Sequence, residues 1–208
     1  MDEAEAKRRL DVPRETLERL EAFEALLRVE NQRQNLVSKG SLEALWERHI
    51  LDSAQLVRFA PAEARSWLDL GTGAGFPGLI VPLFHSAKVV MVESRRLRAE
   101  FLRTAASILG IEERVEIRCS RLEAVPPSPF EVISARAFAP LPKLLALAQP
   151  FSTPDTIWIL PKGRNAKSEL EETRSSWQGD FRLEPSLTDA EAQIVVASRV
   201  RHKPRGRS

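Results

Sequence analysis

Between Asp69 and Gly78 the chain reads Asp-Leu-Gly-Thr-Gly-Ala-Gly-Phe-Pro-Gly. Gly71, Gly73 and Gly75 carry no Cβ, so the backbone there can take positive φ and approach a ligand closely. Trp67-Leu68 before the string is apolar, and Phe76-Pro77 can open a helix. The stretch therefore reads as the end of a buried strand, a tight turn and a helix start with unpaired N–H groups. That chemistry suits a nucleotide-like ligand. Lys88 to Glu93 is an apolar run closing on an acid, and Glu93 stands 22 positions after Gly71. A carboxylate there can accept both ribose hydroxyls of a bound nucleoside.

Two nucleotide chemistries compete for this pattern. Gly73-x-Gly75-x-x-Gly78 matches the dinucleotide fingerprint. In that fingerprint the first glycine follows the strand directly. Here that residue is Gly71, and counted from Gly71 the third glycine is replaced by Phe76. A nicotinamide-dependent oxidoreductase is accordingly the weakest reading. The fuller string, acid-x-Gly-x-Gly-x-Gly, resembles the first motif of S-adenosylmethionine-dependent methyltransferases.

The elements that must position these groups follow in order. Residues 1–60 read as an N-terminal helical extension: Leu17, Leu20, Phe23, Leu26 and Leu27 recur at helical spacing to about Asn31, and 31–40 reads as a loop. Ser41 is expected to cap a second helix that runs to Pro61. On it, Arg48 and Asp52 are spaced for an exposed pair, and His49, Asp52 and Ser53 share a face that can edge a cofactor cleft. Residues 61–200 alternate strands and helices. Ser94 is expected to cap a helix bearing Arg95, Arg96, Arg98 and Arg103. The strand Val115–Cys119 leads into Leu122 and Glu123, near where an adenine ring would lie in a cofactor cleft. A fourth strand from Phe130 exits through Ser134-Ala135-Arg136-Ala137-Phe138. It lies beside the first strand at the topological switch point, so Arg136 stands over the cleft. A fifth strand, Thr156–Leu160, exits through Lys162 and Arg164, which can meet phosphates. Lys167–Trp177 reads as a charged helix, and Phe181–Glu184 with Gln193–Ala197 as a final strand pair. Residues 201–208 read as a basic, disordered tail.

Composition narrows the function classes. The chain has 208 residues, 43% of them hydrophobic, a formal net charge of +2 and one cysteine, Cys119. One cysteine allows no internal disulfide, and with an acidic N-terminus lacking a signal pattern this leads us to expect a cytoplasmic protein. No apolar run approaches the ~20 residues of a membrane span. The three histidines are far apart, so no metal site is expected. No Gly-x-Ser-x-Gly nucleophile elbow is present.

A closer resemblance is carried by several motifs in order: Asn35-Leu36-Val37-Ser38, Arg48-His49-x-x-Asp52-Ser53, the Asp69–Gly78 string with its Gly-Phe-Pro-Gly ending, Ser134–Phe138 and Lys162-Gly163. Together they resemble the bacterial small-subunit ribosomal RNA guanine-N7 methyltransferases, also called glucose-inhibited division protein B. The resemblance covers about residues 15–200. It implies an α/β class I methyltransferase fold, Rossmann-like, with a mostly parallel seven-stranded sheet and an N-terminal helical extension. It implies S-adenosylmethionine as cofactor, a guanine in the decoding-region hairpin of 16S rRNA as target, and the rRNA or 30S subunit as partner. Cofactor contacts carried over are Gly71, Phe76, Leu122, Glu123 and Arg136. The residue reading adds Gly73, Gly75 and Glu93. His49, Lys162 and Arg164 are RNA candidates, and Arg136 is the one catalytic candidate. The family's last strand usually begins with a basic residue, where this chain has Glu191-Ala192-Gln193. The alternatives are a small-molecule methyltransferase on the same fold and a non-catalytic RNA-binding module.

Overall fold

The computed structural model describes residues 1–204. Its centre is a mixed sheet of seven strands: β1 (Ser66–Leu70), β2 (Lys88–Glu93), β3 (Val115–Cys119), β4 (Val132–Ala135), β5 (Ile157–Lys162), β6 (Trp177–Pro185) and β7 (Gln193–His202). The spatial order is β3-β2-β1-β4-β5-β7-β6. The first five run parallel, and β7 is antiparallel to both β5 and β6. Parallel strands are covered on both faces, which is why Trp67, Leu68, Met91, Ile133 and Trp158 are buried without alternation. The register pairs Leu70 with both Val92 and Ala135, and Glu93 with Cys119. The glycine string, Glu93 and the β3 and β4 exits thus meet at one carboxyl edge, with β1 and β4 adjacent at the switch point.

The helices are α1 (Glu3–Leu10), α2 (Arg14–Gln34), α3 (Lys39–Glu43), α4 (Asp52–Ala54), α5 (Val81–Phe84), α6 (Arg96–Leu109), α7 (Leu141–Ala148) and α8 (Ala166–Thr173). A π-helical turn, Trp46–Leu51, joins α3 to α4. α2 and α6 cover one sheet face, where Phe23 of α2 packs on Phe101 of α6 at 6.4 Å. α7 and α8 cover the other with Leu141, Leu144, Leu145 and Leu170. Burying one such side chain stabilises the fold by about 1.5–3 kcal/mol. No helix among the described residues is long and apolar enough to cross a membrane.

Local chemistry moved several expected boundaries. α2 continues past Asn31 to Gln34, and Asn35 ends it at φ 50°. Asn31 then uses its side chain to hold the next segment, accepting from Val37 N at 2.8 Å and donating to Val37 O at 3.1 Å. Ser38, not Ser41, caps α3, because its hydroxyl accepts the Ser41 N–H at 3.3 Å. The expected single helix to Pro61 is broken into α3, the π turn, α4 and a tight 3-10 turn. The helix expected from Phe76 or Pro77 begins only at Val81. Of the N–H groups expected to be unpaired there, Gly75 N donates to Thr72 O and Gly78 N to the Asp69 carboxylate. α6 begins after Arg95, not Ser94, and has no side-chain cap; the Arg95 N–H just before its first turn is taken by Glu93 at 2.8 Å. The helix expected to reach Trp177 stops at Thr173, and Trp177 opens β6. Arg201 and His202, expected in the tail, end β7, while residues 205–208 lie outside the described residues.

Candidate active site

The glycine string is held from beneath by a fully buried acid. Asp69 Oδ2 accepts from Thr72 Oγ1 at 2.8 Å and from Gly78 N at 3.1 Å. Its Oδ1 accepts from Ser134 Oγ at 2.7 Å, and Ser134 accepts in turn from Trp67 Nε1 at 2.8 Å. Burial pushes the Asp69 pKa up to about 6, opposed by these hydrogen bonds. Asp69 is therefore a brace that ties β1, β4 and the loop together. Gly78 is required for it, since a Cβ there would sit 2.8 Å from Asp69 Oδ2.

Above the brace the loop turns back at Gly71, φ +66°, where a Cβ would overlap the Phe138 ring. Its backbone opens onto a cavity of about 350 Å³ lined by Gly71, Glu93, Ser120, Leu122, Glu123 and Phe138. Glu93 is 6% exposed. Its Oε1 accepts from Arg95 N and its Oε2 from Gly73 N at 3.2 Å, with Arg98 Nη1 at 4.0 Å. One carboxylate thus links the glycine loop to the start of α6 while facing the cavity. A larger cavity of about 620 Å³ adjoins it, and Phe138 and Ala139 line both. The larger one is also lined by Asp52, Arg136, Lys162 and Ser186.

A sequence profile of the GidB family, described as rRNA small subunit methyltransferase G, matches residues 16–194. A protein of Zymomonas mobilis named ribosomal RNA small subunit methyltransferase G is 50% identical, over 93% of this chain and 90% of its own. One of the same name from Rhizorhabdus wittichii is 51% identical, over 100% of this chain and 96% of its own. The chain belongs to the rRNA small subunit methyltransferase G family. Solved structures show the class I methyltransferase fold at low identity. An O-methyltransferase from Bacillus cereus in complex with SAH is 17% identical with a TM-score of 0.59, over 85% of this chain and 90% of that one. TomG, an O-methyltransferase from Streptomyces achromogenes in complex with SAM, is 14% identical with a TM-score of 0.56, over 86% and 89%.

Within this family member the residues singled out from the sequence fall into separate groups. Gly71, Glu93, Leu122 and Glu123 share the smaller cavity. Gly73 and Gly75 shape the loop but are not among the cavity's lining residues. Phe76 lines neither cavity. It is 2% exposed, stacked on His49 at 4.8 Å and edge-on to Phe23 at 5.7 Å. Arg136 lines the larger cavity, its guanidinium 5.3 Å from the Phe76 ring centre. Lys162 lines it too, bonded to Glu169 at 2.9 Å and to Ala139 O at 3.3 Å. Arg164 is exposed and pairs with Glu191 at 3.0 Å.

The expected Arg48–Asp52 pair is replaced. Arg48 leans 4.0 Å from Asp189, and Asp52 lies 3.6 Å from Arg136 Nη1 across the chain. The helical geometry changes to a π turn between these positions, and the half-buried Asp52 faces the half-buried Arg136 instead. Burial raises the Asp52 pKa, opposed by Arg136, Thr188 and Gln55. Burial likewise lowers that of Arg136, opposed by Asp52 and Asp69. His49 is 8% exposed and neither ring nitrogen has a hydrogen-bond partner. Burial first, then Arg136 and Arg48, lowers its pKa to about 3, so it is neutral near pH 7. The sequence reading missed the dividing role of Phe138 and Ala139. Their signal was position at the strand exits. No group of three or more His, Cys, Asp or Glu that could hold a metal occurs among the described residues.

Proposed function

We propose that this chain transfers a methyl group from S-adenosylmethionine to N7 of a guanine in the decoding-region hairpin of 16S rRNA. The observation that carries the reading is the pair of adjoining cavities divided by Phe138 and Ala139, in a chain of this family. The smaller cavity fits the cofactor's parts: Glu93 to accept ribose hydroxyls, the Gly71 backbone for the amino-acid moiety, and Leu122 as an apolar surface beside the adenine. Glu123 and the backbone at Ser120 border that same end. When bound, the cofactor supplies an electrophilic sulfonium methyl. The larger cavity takes the flipped base, with the small residues Ala137 and Ala139 allowing close approach.

Guanine N7 has an in-plane lone pair and no proton, so its methylation needs no general base. Orientation alone can supply about 7–11 kcal/mol of the acceleration. The purine ring gains positive charge as the bond forms. Arg136 then acts as a binder of guanine O6 or of phosphate, and the neighbouring Asp52 offsets its charge. Lys162 holds the Ala139 carbonyl and thereby the wall between the cavities. The arginines opening α6 hold RNA phosphates, together with Arg33 around a hollow of about 340 Å³. Catalysis in the cytoplasm on a 30S particle or its rRNA completes the reading.

The test is incubation with labelled S-adenosylmethionine and small-subunit particles from cells lacking this enzyme, followed by mapping. Label on N7 of one decoding-region guanine is the expected result. Label on small molecules or protein, with none on rRNA, overturns it.

A further inference from the structure

The motif Arg48-His49-x-x-Asp52 belongs to the N-terminal segment, yet Asp52 lines the larger cavity beside Arg136 of β4's exit. The two oxygens of Asp52 are unequal. Oδ1 accepts from Gln55 Nε2 at 2.8 Å and Thr188 Oγ1 at 2.8 Å, which fixes the carboxylate against the loop between β6 and β7. Oδ2 has only Arg136 Nη1, at 3.6 Å, too long for a hydrogen bond. Arg136 in turn spends one N–H on Arg48 O at 3.1 Å, out of five donors. An acceptor and a donor set therefore stand side by side on one cavity wall, each with capacity left.

We infer that Asp52 and Arg136 together read the Watson–Crick edge of the target guanine, Asp52 accepting from N1–H and the N2 amino group while Arg136 donates to O6. The inference rests on the N7-methylation reading and deepens it. Guanine presents acceptor, donor, donor along this edge. Adenine presents an amino donor where Arg136 stands and an N1 lone pair where Asp52 stands, so both contacts become repulsive. O6 and N7 lie on the same side of the purine, and a base gripped at O6 and N1 leaves the N7 lone pair exposed toward the dividing wall. The contact also favours the transition state. As N7 acquires the methyl group, the ring becomes cationic and N1–H a stronger donor, so its bond to a carboxylate tightens as the reaction proceeds. Burial of Asp52, which disfavours an uncompensated charge, adds to the demand for such a partner.

The experiment uses the whole protein and small-subunit particles reconstituted with guanine, inosine or 1-methylguanine at the mapped target, read as single-turnover methylation at that position. Inosine lacks the N2 amino group, and 1-methylguanine lacks the N1 proton. We expect the wild type to be roughly tenfold slower on inosine and to fail on 1-methylguanine. We expect Asp52→Asn to be slower on guanine, to treat guanine and inosine alike, and to bind S-adenosylhomocysteine as the wild type does. Equal rates of the wild type on all three bases, or an unchanged guanine-to-inosine ratio in Asp52→Asn, overturn the inference. Should Asp52→Asn not bind S-adenosylhomocysteine, the wild-type series on the three bases decides. Absence of any N7 transfer to the guanine particles overturns the reading of the reaction, and this inference with it.

Discussion

Replacing Glu93 by glutamine tests the cofactor cavity at one atom. In the protein Oε1 takes the Arg95 N–H at 2.8 Å and Oε2 the Gly73 N–H at 3.2 Å. A carboxylate has lone pairs for both and for a ribose hydroxyl as well. An amide has one acceptor oxygen, and its NH₂ must face one of two backbone donors. The glutamine variant therefore lacks one anchor to the loop or one acceptor for the ribose, and it lacks the charge. A hydrogen bond to a charged group is worth about 1.5–3 kcal/mol, so the Kd should rise roughly 10- to 150-fold. Isothermal titration with S-adenosylhomocysteine measures this, and thermal melting checks that the variant folds. Repeating both titrations with the 2′-deoxyribosyl ligand closes a double-mutant cycle. If Glu93 holds the ribose, removing the hydroxyl costs the wild type far more than it costs Glu93→Gln. A Kd within twofold of wild type, or strictly additive losses, refutes the assignment.

Gly71→Ala places a Cβ at φ +66° and into Phe138, so beyond the ~1–2 kcal/mol of a left-handed residue it should displace the dividing wall, lowering the melting temperature and weakening cofactor binding together. His49 is held near pKa 3 when folded against 6.5 unfolded, so its stability contribution is fully present above pH 6.5 and is lost as pH falls toward 3. The stability advantage of His49→Phe, which keeps the stack on Phe76, should therefore grow as pH drops, by at most about 1.4 kcal/mol per pH unit. Denaturant melts of both proteins from pH 7 to 4 measure it, and a pH-independent difference would contradict the burial argument. Arg95→Glu with Arg96→Glu should weaken RNA binding and flatten its salt dependence by about one unit of log–log slope per lost phosphate contact, leaving cofactor affinity unchanged. Filter binding across a salt series reads both effects.

Much of the fold was legible because buried parallel strands are short apolar runs between turn signals. Lys88–Glu93 matches β2, and the expected strand pair after Phe181 lies within the longer β6 and β7. Several of the boundaries that moved lie where a side chain captured a backbone group across a turn: Asn31 on Val37, Ser38 on Ser41, Asp69 on Gly78.

The sequence by itself determined the chemistry that lies close along the chain. Glycines without Cβ, an acid ending the next strand and the order of the motifs were enough for the fold class, the family and the place of Glu93 at the carboxyl edge of the sheet. These depend on local spacing, and a strand–turn–helix unit folds much the same way wherever it stands. The tertiary structure alone decided which distant side chains meet. It turned Asp69 inward as a brace, drew Asp52 from Arg48 to Arg136 and stacked His49 on Phe76 away from the smaller cavity. The physical reason is burial. A charge or ring removed from water must find its partner among whatever the packing brings near, and sequence separation does not enter that choice.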